Sequence, residues 1–422
     1  MRIHLNTKID LNKIFIINKG DIAFALFCMG ILLAILGSLQ PVFMWKFAST
    51  YSILASFPII LAIGISRNIT RPIFTRKDYI LPLVAYIILQ VTMKLISGSN
   101  INGYIELTFN IIIIFGIFSI NIEKLERLTD VICLIFGSFL AISLFFFALY
   151  IVGFPLPSKS IAHPVLDYTY IDYHFFLIDD RQFMVFLPRF NSLCLEPGHL
   201  GTVGSLLLLT QLGKWKKWYN ASILIATLLT FSLAAYVLLV LILFVGTWAK
   251  GKSILPSIIA IILLLTSVFI GAKVYNDGDN LINTLILERL EVTDDGDISG
   301  NNRVTDEFQA EYDKFVTTPD IFLGRGNSLE KFGFGNAGYK VFLYDYGLIS
   351  ALLVIAFYII STLPSKKNRA KIGMYIIFLA GFWVRAIPLY YYFFVPLYIF
   401  AYIGIQEKKS EKEIKEDQEE NE

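Results

Sequence analysis

Residues 217–248 read KWYNASILIATLLTFSLAAYVLLVLILFVGTW, and beyond Lys217 the run carries no charged side chain. As one helix it would rise about 48 Å at roughly 1.5 Å per residue, well beyond a hydrocarbon core of about 30 Å. It therefore reads as two crossings that turn near Ser232. A chain that commits so much uncharged sequence to a back-and-forth path belongs in lipid.

The rest of the chain agrees. Of 422 residues, 56% are hydrophobic, 15% aromatic and only 17% charged. A soluble domain carries about 45–50% apolar and about 25% charged residues. Apolar runs near 22–39, 44–65, 79–96, 104–120, 128–153, 199–213, 217–232, 233–248, 254–271, 338–361, 372–386 and 388–405 predict an all-α integral membrane protein of about twelve transmembrane helices. The run 199–213 is short for a span and reads as tilted, broken or re-entrant. The basic connections at 2–19, 67–77, 124–127, 214–217, 250–252, 366–371 and 408–415 all fall on one side of this topology. By the positive-inside rule that side, with both termini, is cytoplasmic. The first apolar stretch lacks the flanks of a cleaved signal and reads as a retained anchor. Residues 1–21 suit an amphipathic segment on the inner leaflet, and 406–422 a charged, disordered cytoplasmic tail. Between them, 22–405 is the polytopic domain.

Two connections are long, about 154–198 and 272–337, and both fall on the outer face; long loops in compact proteins are usually functional. In the first, the alternation from Tyr168 to Phe176 fits either a short strand or an interfacial helix edge. Its aromatics fit a membrane-interface belt or a sugar-stacking platform. The second opens with acidic DDGDISGN at 294–301, which lacks EF-hand spacing and reads as turn chemistry. Val304, Phe308, Tyr312 and Phe315 then lie on one face of a helix, with Asn302 as N-cap, Arg303 in the first turn and Pro319 beyond the end. Gly324-Arg325-Gly326 forms a turn with room for a ligand to approach.

The ionisable residues beside these loops are the candidates for chemistry, since charge at membrane depth is expensive. Arg189, Arg303, Arg325 and Arg385 all map to the outer side, against the inward bias of basic residues. Their planar guanidinium forks suit phosphate or pyrophosphate; pairing with nearby carboxylates or lipid is the competing explanation. Glu196, held before Pro197, is the candidate for proton transfer, with a structural bridge to Arg189 as its alternative. His199 reads as a helix-terminal histidine or a second base. Cys28, Cys133 and Cys194 imply no disulfide framework and no zinc-ligand spacing, so no metal or cofactor is expected.

RFNSLCLEPGHLGT (189–202), TFSLAAY (230–236), SGNNRVTDEFQAEYDKFVTTPDIFLGRGNS (299–328) and GNAGYKVFLYDYGLISALL (335–353) follow in an order that resembles the bacterial O-antigen polymerase and O-antigen ligase superfamily. The resemblance covers about residues 185–361. Ligases usually carry asparagine where this chain has Glu196, histidine where it has Gly335, and often arginine where it has Leu233. Glu196-Pro197 therefore points toward the polymerase branch.

The resemblance implies a glycosyltransferase on the outer face of the bacterial cytoplasmic membrane. It would transfer a glycan from undecaprenyl pyrophosphate to a sugar hydroxyl of the next lipid-linked repeat unit. Arg189, Arg303 and Arg325 would bind the pyrophosphate, with Arg385 standing in for the arginine that the family pattern has and this chain lacks; Glu196 or His199 would act on the acceptor proton, and Asn191, Asn336 and Asp345 would position sugars or their partners. Expected partners are the lipid-linked donor and acceptor, membrane lipid, a flippase and a chain-length regulator, with no nucleic acid. Two alternatives stay open. A ligase would attach finished chains to lipid A-core, and a flippase or transporter would carry polar residues within its spans and on both faces.

Overall fold

The computed structural model describes residues 19–47, 50–66, 70, 77–164, 168–180, 188–251, 255–278, 283, 304–333 and 336–404. Most of the 1–21 segment, the acidic stretch 294–301, Arg303 and the tail 406–422 lie outside the described residues. The chain is mostly helical, and its apolar helices mark a multi-pass membrane protein. In order these are α1 (Lys19–Leu39), α2 (Tyr51–Ile65), α3 (Lys77–Ile96), α4 (Ile101–Ser119), α5 (Ile122–Ile151), α6 (Pro197–Thr210), α7 (Trp218–Leu229), α8 (Leu233–Ala249), α9 (Leu255–Val274), α10 (Asp306–Phe315), α11 (Ser328–Phe332), α12 (Tyr339–Thr362), α13 (Asn368–Val384) and α14 (Tyr391–Ile403). Among the described residues five helices are long and apolar enough to cross a membrane, against the twelve expected: Lys19–Leu39, Tyr79–Ile96, Ile101–Ser119, Ile122–Ile151 and Tyr339–Thr362. The all-α expectation also missed one small sheet. Strands β1 (Lys159–Ala162), β2 (Thr169–Asp172) and β3 (Leu177–Asp179) form an antiparallel meander in the first long loop. The alternation begun at Tyr168 is thus a strand. Ile171 and Thr169 are half-buried while Tyr170 and Asp172 are buried, and Asp172 turns the hairpin by accepting the His174 amide at 2.7 Å.

Two helices without a charged residue form the centre. α14 (YYFFVPLYIFAYI) is buried from Tyr391 to Tyr402, and α6 is buried from Leu200 to Thr210. A helix apolar all round has no polar face to give to water and sits inside a bundle. They pack on each other, with α1 and α5 against α14 and with α7 and α8 against α6.

Polar contacts gather the helix ends into two faces. On one, Arg127 pairs with Asp21 at 3.5 Å, and Lys214 binds Glu126 at 2.8 Å and Asp130 at 2.7 Å. On the other, Phe190 packs on Phe147 of α5 at 5.0 Å, and Glu196 begins α6. With 14 residues, α6 rises only about 21 Å. The sheet of the first loop stands beside its head, where the Tyr170 hydroxyl donates to the Leu195 carbonyl at 2.9 Å. Within the spans, Glu106 lies 3.7 Å from Lys94.

The run 217–248 breaks as expected, at Thr230–Ser232, where Phe231 adopts φ 45°. A break inside lipid is tolerated only if its freed backbone groups find partners. Here they do. The Leu228 carbonyl accepts the Tyr236 hydroxyl at 2.6 Å, the Leu229 carbonyl the Phe190 amide at 2.9 Å, and the Thr230 carbonyl Arg189 Nε at 2.9 Å. The segment ahead of Glu196 is therefore stitched to the break.

The second loop folds as a separate lobe on the N-terminal stub of α12. Phe308, Tyr312 and Phe315, the predicted face of α10, bury against Tyr344. The helix is capped one residue after Val304, by Thr305, whose Oγ1 accepts the Phe308 amide at 3.3 Å. Thr305, not Asn302 as expected, is therefore the cap; Asn302 and Arg303 lie outside the described residues. At Gly347 (φ 71°, ψ 175°) α12 kinks, and the exposed carbonyls of Tyr344 and Asp345 accept the Arg325 amide at 2.6 Å and the Gly326 amide at 3.1 Å. The glycine turn leaves room for the chain's own kinked helix: a Cβ on Gly324 would lie 2.7 Å from the Asp345 carbonyl oxygen.

Candidate functional site

Pro197 opens α6 with a fixed φ suited to the first helical position, and Glu196 before it holds the extended N-cap conformation. The Glu196 side chain makes no capping bond to the helix. Instead its Oε2 accepts both Nη1 and Nη2 of Arg385, each at 3.2 Å. Arg385 caps the C-terminus of α13, and its guanidinium lies across the face of Gly198, where any Cβ would overlap Nη2. Glycine at 198 is thus what lets the arginine reach. His199, one turn into α6, points Nε2 toward the same carboxylate oxygen at 3.9 Å, beyond hydrogen-bond range, with its ring 6.2 Å from Tyr392.

These groups surround a cavity of about 160 Å³ lined by Arg385, Glu196, Pro197 and Gly198 on one side and by Tyr168, Tyr170, Asp179 and Asn191 of the first loop on the other. Arg189 and Leu195 complete the lining. Two buried polar atoms of the lining residues, Arg385 Nε and Asn191 Oδ1, have no hydrogen-bond partner among the described residues. Buried polar atoms in folded proteins are nearly always paired, so each exception asks for an explanation. A pair of them beside one cavity is what a polar ligand or ordered water would satisfy.

Electrostatics keep Glu196 ionised. Burial opposes its charge, but neighbouring His199, the charge and hydrogen bond of Arg385 and the charge of Arg189 outweigh burial, and the carboxyl titrates below its ordinary value of 4.5. A carboxyl lowered on folding stabilises the protein above the unfolded value, and that contribution is lost as pH falls through the lowered one. The melting-temperature gap between the wild type and Glu196→Gln should therefore be flat across neutral and mildly acidic pH. It should close only once pH drops below the ordinary carboxylate range. A gap that closes near neutrality would show that the pair is not formed.

The predicted residues separate into two places. Arg189, Asn191, Glu196, His199 and Arg385 come together at the head of α6. The bridge expected between Glu196 and Arg189 is made by Arg385, while Arg189 Nε serves the Thr230 carbonyl. Arg325 is not among the cavity residues. It binds Asp320 at 2.8 Å and Glu311 at 2.9 Å and lies over the Phe315 ring, so its charge is absorbed by the lobe of the second loop. Asp345 accepts the amide and hydroxyl of Ser328 at 2.7 and 2.8 Å, capping α11. Asn336 Oδ1 accepts the Thr305 amide at 2.7 Å and ties the lobe to the start of α12. Both do structural work there. Arg303 lies outside the described residues.

Most aromatics of the first loop pack on one another, as in the Tyr173–Phe176 stack at 4.8 Å and the Phe147–Phe176 contact at 5.5 Å. Among the described residues of this loop, Tyr168 and Tyr170 are the aromatics that line the cavity. Asp179 was missed by sequence reasoning. It ends a three-residue strand inside LIDDRQF, where nothing but an acidic pair marked it. No protein-family model, curated protein or solved structure matches the chain, so its own side chains carry the functional reading.

Proposed function

We propose that the protein is a membrane glycosyltransferase that polymerises lipid-linked oligosaccharide repeat units. In this reading it crosses the bacterial cytoplasmic membrane twelve times, keeps both termini in the cytoplasm and works on the outer face. One observation carries the proposal: Arg385 and Arg189, from elements distant in sequence, meet Glu196 around a polar cavity at the head of a short buried helix. Two guanidinium groups at the edge of lipid suit a pyrophosphate whose isoprenoid stays in the membrane. The sequence resemblance to the polymerase branch points the same way, and the helix within each apolar run supports the path of the chain.

The chemistry follows from charge. A hydroxyl oxygen of the acceptor sugar attacks the anomeric carbon of the donor, the bond from that carbon to the phosphate oxygen breaks, and the lipid pyrophosphate leaves with the electron pair. Arg385 and Arg189 stabilise the charge that grows on that leaving group, the usual role of preorganised cations at such a bond. In this reading Glu196 holds the Arg385 fork in place, and the attacking hydroxyl passes its proton to His199 or to the second oxygen of Glu196. Arg303 joins the set if its loop folds over the cavity.

Deletion of the gene followed by gel analysis of the surface polysaccharide tests the reading. Loss of the ladder with single repeat units still attached to their carrier or core is the expected result. Long chains that persist without attachment would indicate a ligase, and repeat units trapped on the inner leaflet a flippase; either would overturn the proposal.

A further inference from the structure

Two large apolar side chains stand out of the turn that follows α10: Phe322, 53% exposed, and Leu323, 56% exposed. The backbone beneath them is fixed to the kink of α12. A Cβ on Gly347 would overlap the Phe322 carbonyl oxygen, and the Arg325 and Gly326 amides donate to the carbonyls of Tyr344 and Asp345. The depth of Phe322 and Leu323 is therefore the depth of Gly347.

Two lengths set that depth. Beyond Thr362, the far end of α12 is marked by the exposed Lys366, Lys367 and Arg369, which belong in water or among headgroups. From Thr362 back to Gly347 the helix rises about 22 Å at roughly 1.5 Å per residue, less than a hydrocarbon core of about 30 Å. Tilt only shortens that reach. The second mark is α3, whose 20 residues rise about 29 Å and so cover the core from Lys77 to Ile96. A Cβ on Gly326 would lie 3.6 Å from the Ile96 carbonyl oxygen, so the turn rests on the last residue of that span. Both marks put the turn at the hydrocarbon edge and not above it.

The charges at the turn agree with this depth. Asp320 and Glu311 neutralise Arg325, and an unpaired charge so close to lipid is expensive. Across 304–333 six carboxylates outnumber three basic side chains, so attraction to anionic headgroups would not hold the lobe down. Apolar area would. We propose that the lobe of the second loop is seated in the bilayer through Phe322 and Leu323, which enter the acyl chains beside α3 and α12. The partner of this apolar surface is lipid and not a second protein. The proposal goes beyond the transferase reading and does not depend on it.

Spin labelling of the full-length protein in nanodiscs of phosphatidylcholine tests it. A nitroxide is attached at Phe322→Cys or Leu323→Cys. Leu352→Cys, on the exposed side of α12, is the lipid reference, and Glu307→Cys, exposed at the start of α10, is the water reference. The unaltered protein sets the background, since Cys28, Cys133 and Cys194 are buried. Labels at 322 and 323 should collide more with oxygen, which concentrates in lipid, than with a water-soluble nickel chelate, as at 352. The label at 307 should do the reverse. The pattern should survive roughly 1 M salt, which screens charge beyond about 3 Å. Limited proteolysis shows whether each labelled lobe is folded, and if one label unfolds it the other position decides. Water-like collisions at 322 and 323 would overturn the seat. So would a lipid pattern lost in high salt, which would make the contact electrostatic. Labels shielded from both reagents would overturn it as well, because protein, from a second copy or a partner, would then cover the surface.

Discussion

Arg385→Ala should lower polymerisation by about 10²–10³-fold, the range found when one preorganised donor to developing charge is removed. The measurement is turnover of lipid-linked repeat units by the purified protein in liposomes, with product length read on a gel. The size of the effect follows from what the guanidinium does. It lines the cavity, and both its terminal nitrogens reach the same Glu196 oxygen. Its removal takes away a cation and also leaves the Glu196 carboxylate facing an incoming pyrophosphate, turning attraction into repulsion. Arg385→Lys keeps the charge without the planar fork and should fall between. Gly198→Ala separates position from charge. The new methyl group would occupy the space of Nη2, pushing the guanidinium aside with its charge intact, and should lower turnover about tenfold or more. Glu196→Gln leaves the fork positive and should have the smallest effect of the four if His199 takes the acceptor proton; a loss as large as that of Arg385→Ala would make Glu196 the base. Turnover by Arg385→Ala within a few-fold of the wild type, in protein that melts normally, would remove the arginine from the chemistry.

The bundle and the site were unequally legible. Apolar length alone exposed the helical runs and the turn near Ser232, because an uncharged run too long for lipid must break. Crossing number was less secure: α6 and α7 are short, and the sequence does not state how far a buried helix falls short of the surface. At the site, the Arg189–Thr202 segment was visible because its charges interrupt apolar sequence. Its ion-pair partner was not, since Arg385 lies 189 residues away and only packing of α6, α13 and α14 brings it over Gly198. Arg325 shows the opposite error. Its glycine flanks suggested access for a ligand, but Asp320 and Glu311 neutralise it and the glycines admit backbone. Spacing along a loop reveals which charges exist, while the carboxylates that reach them depend on how the loop folds. Asp179 was hidden for a related reason, because a three-residue strand is too short for a period to declare which way a side chain faces.

Gly347→Ala should be the most damaging substitution away from the cavity, lowering stability by about 4 kcal/mol or more. Two independent effects add. Gly347 holds φ 71° and ψ 175°, a region open in practice only to glycine, and forcing another residue there costs roughly 1–3 kcal/mol. A Cβ at that position would also overlap the Phe322 carbonyl oxygen and the Gly324 amide nitrogen. Both are backbone atoms and cannot swing away as a side-chain end would. Relief requires the turn at 322–326 to lift from the kink, which breaks the bonds from the Arg325 and Gly326 amides and opens the cluster of Phe308, Tyr312, Phe315 and Tyr344. Gly153 provides the comparison: at φ 80° with nothing near its would-be Cβ, Gly153→Ala carries strain without the clash and should cost about 1 kcal/mol. Denaturant titration of the protein in detergent measures both, and limited proteolysis shows whether cleavage moves into 304–333. If this lobe does not touch the transfer step, Gly347→Ala that still reaches the membrane should retain turnover of lipid-linked repeat units at low temperature while its lobe is cut. Equal stability of Gly347→Ala and wild type would mean that the turn and the kink are not docked as described.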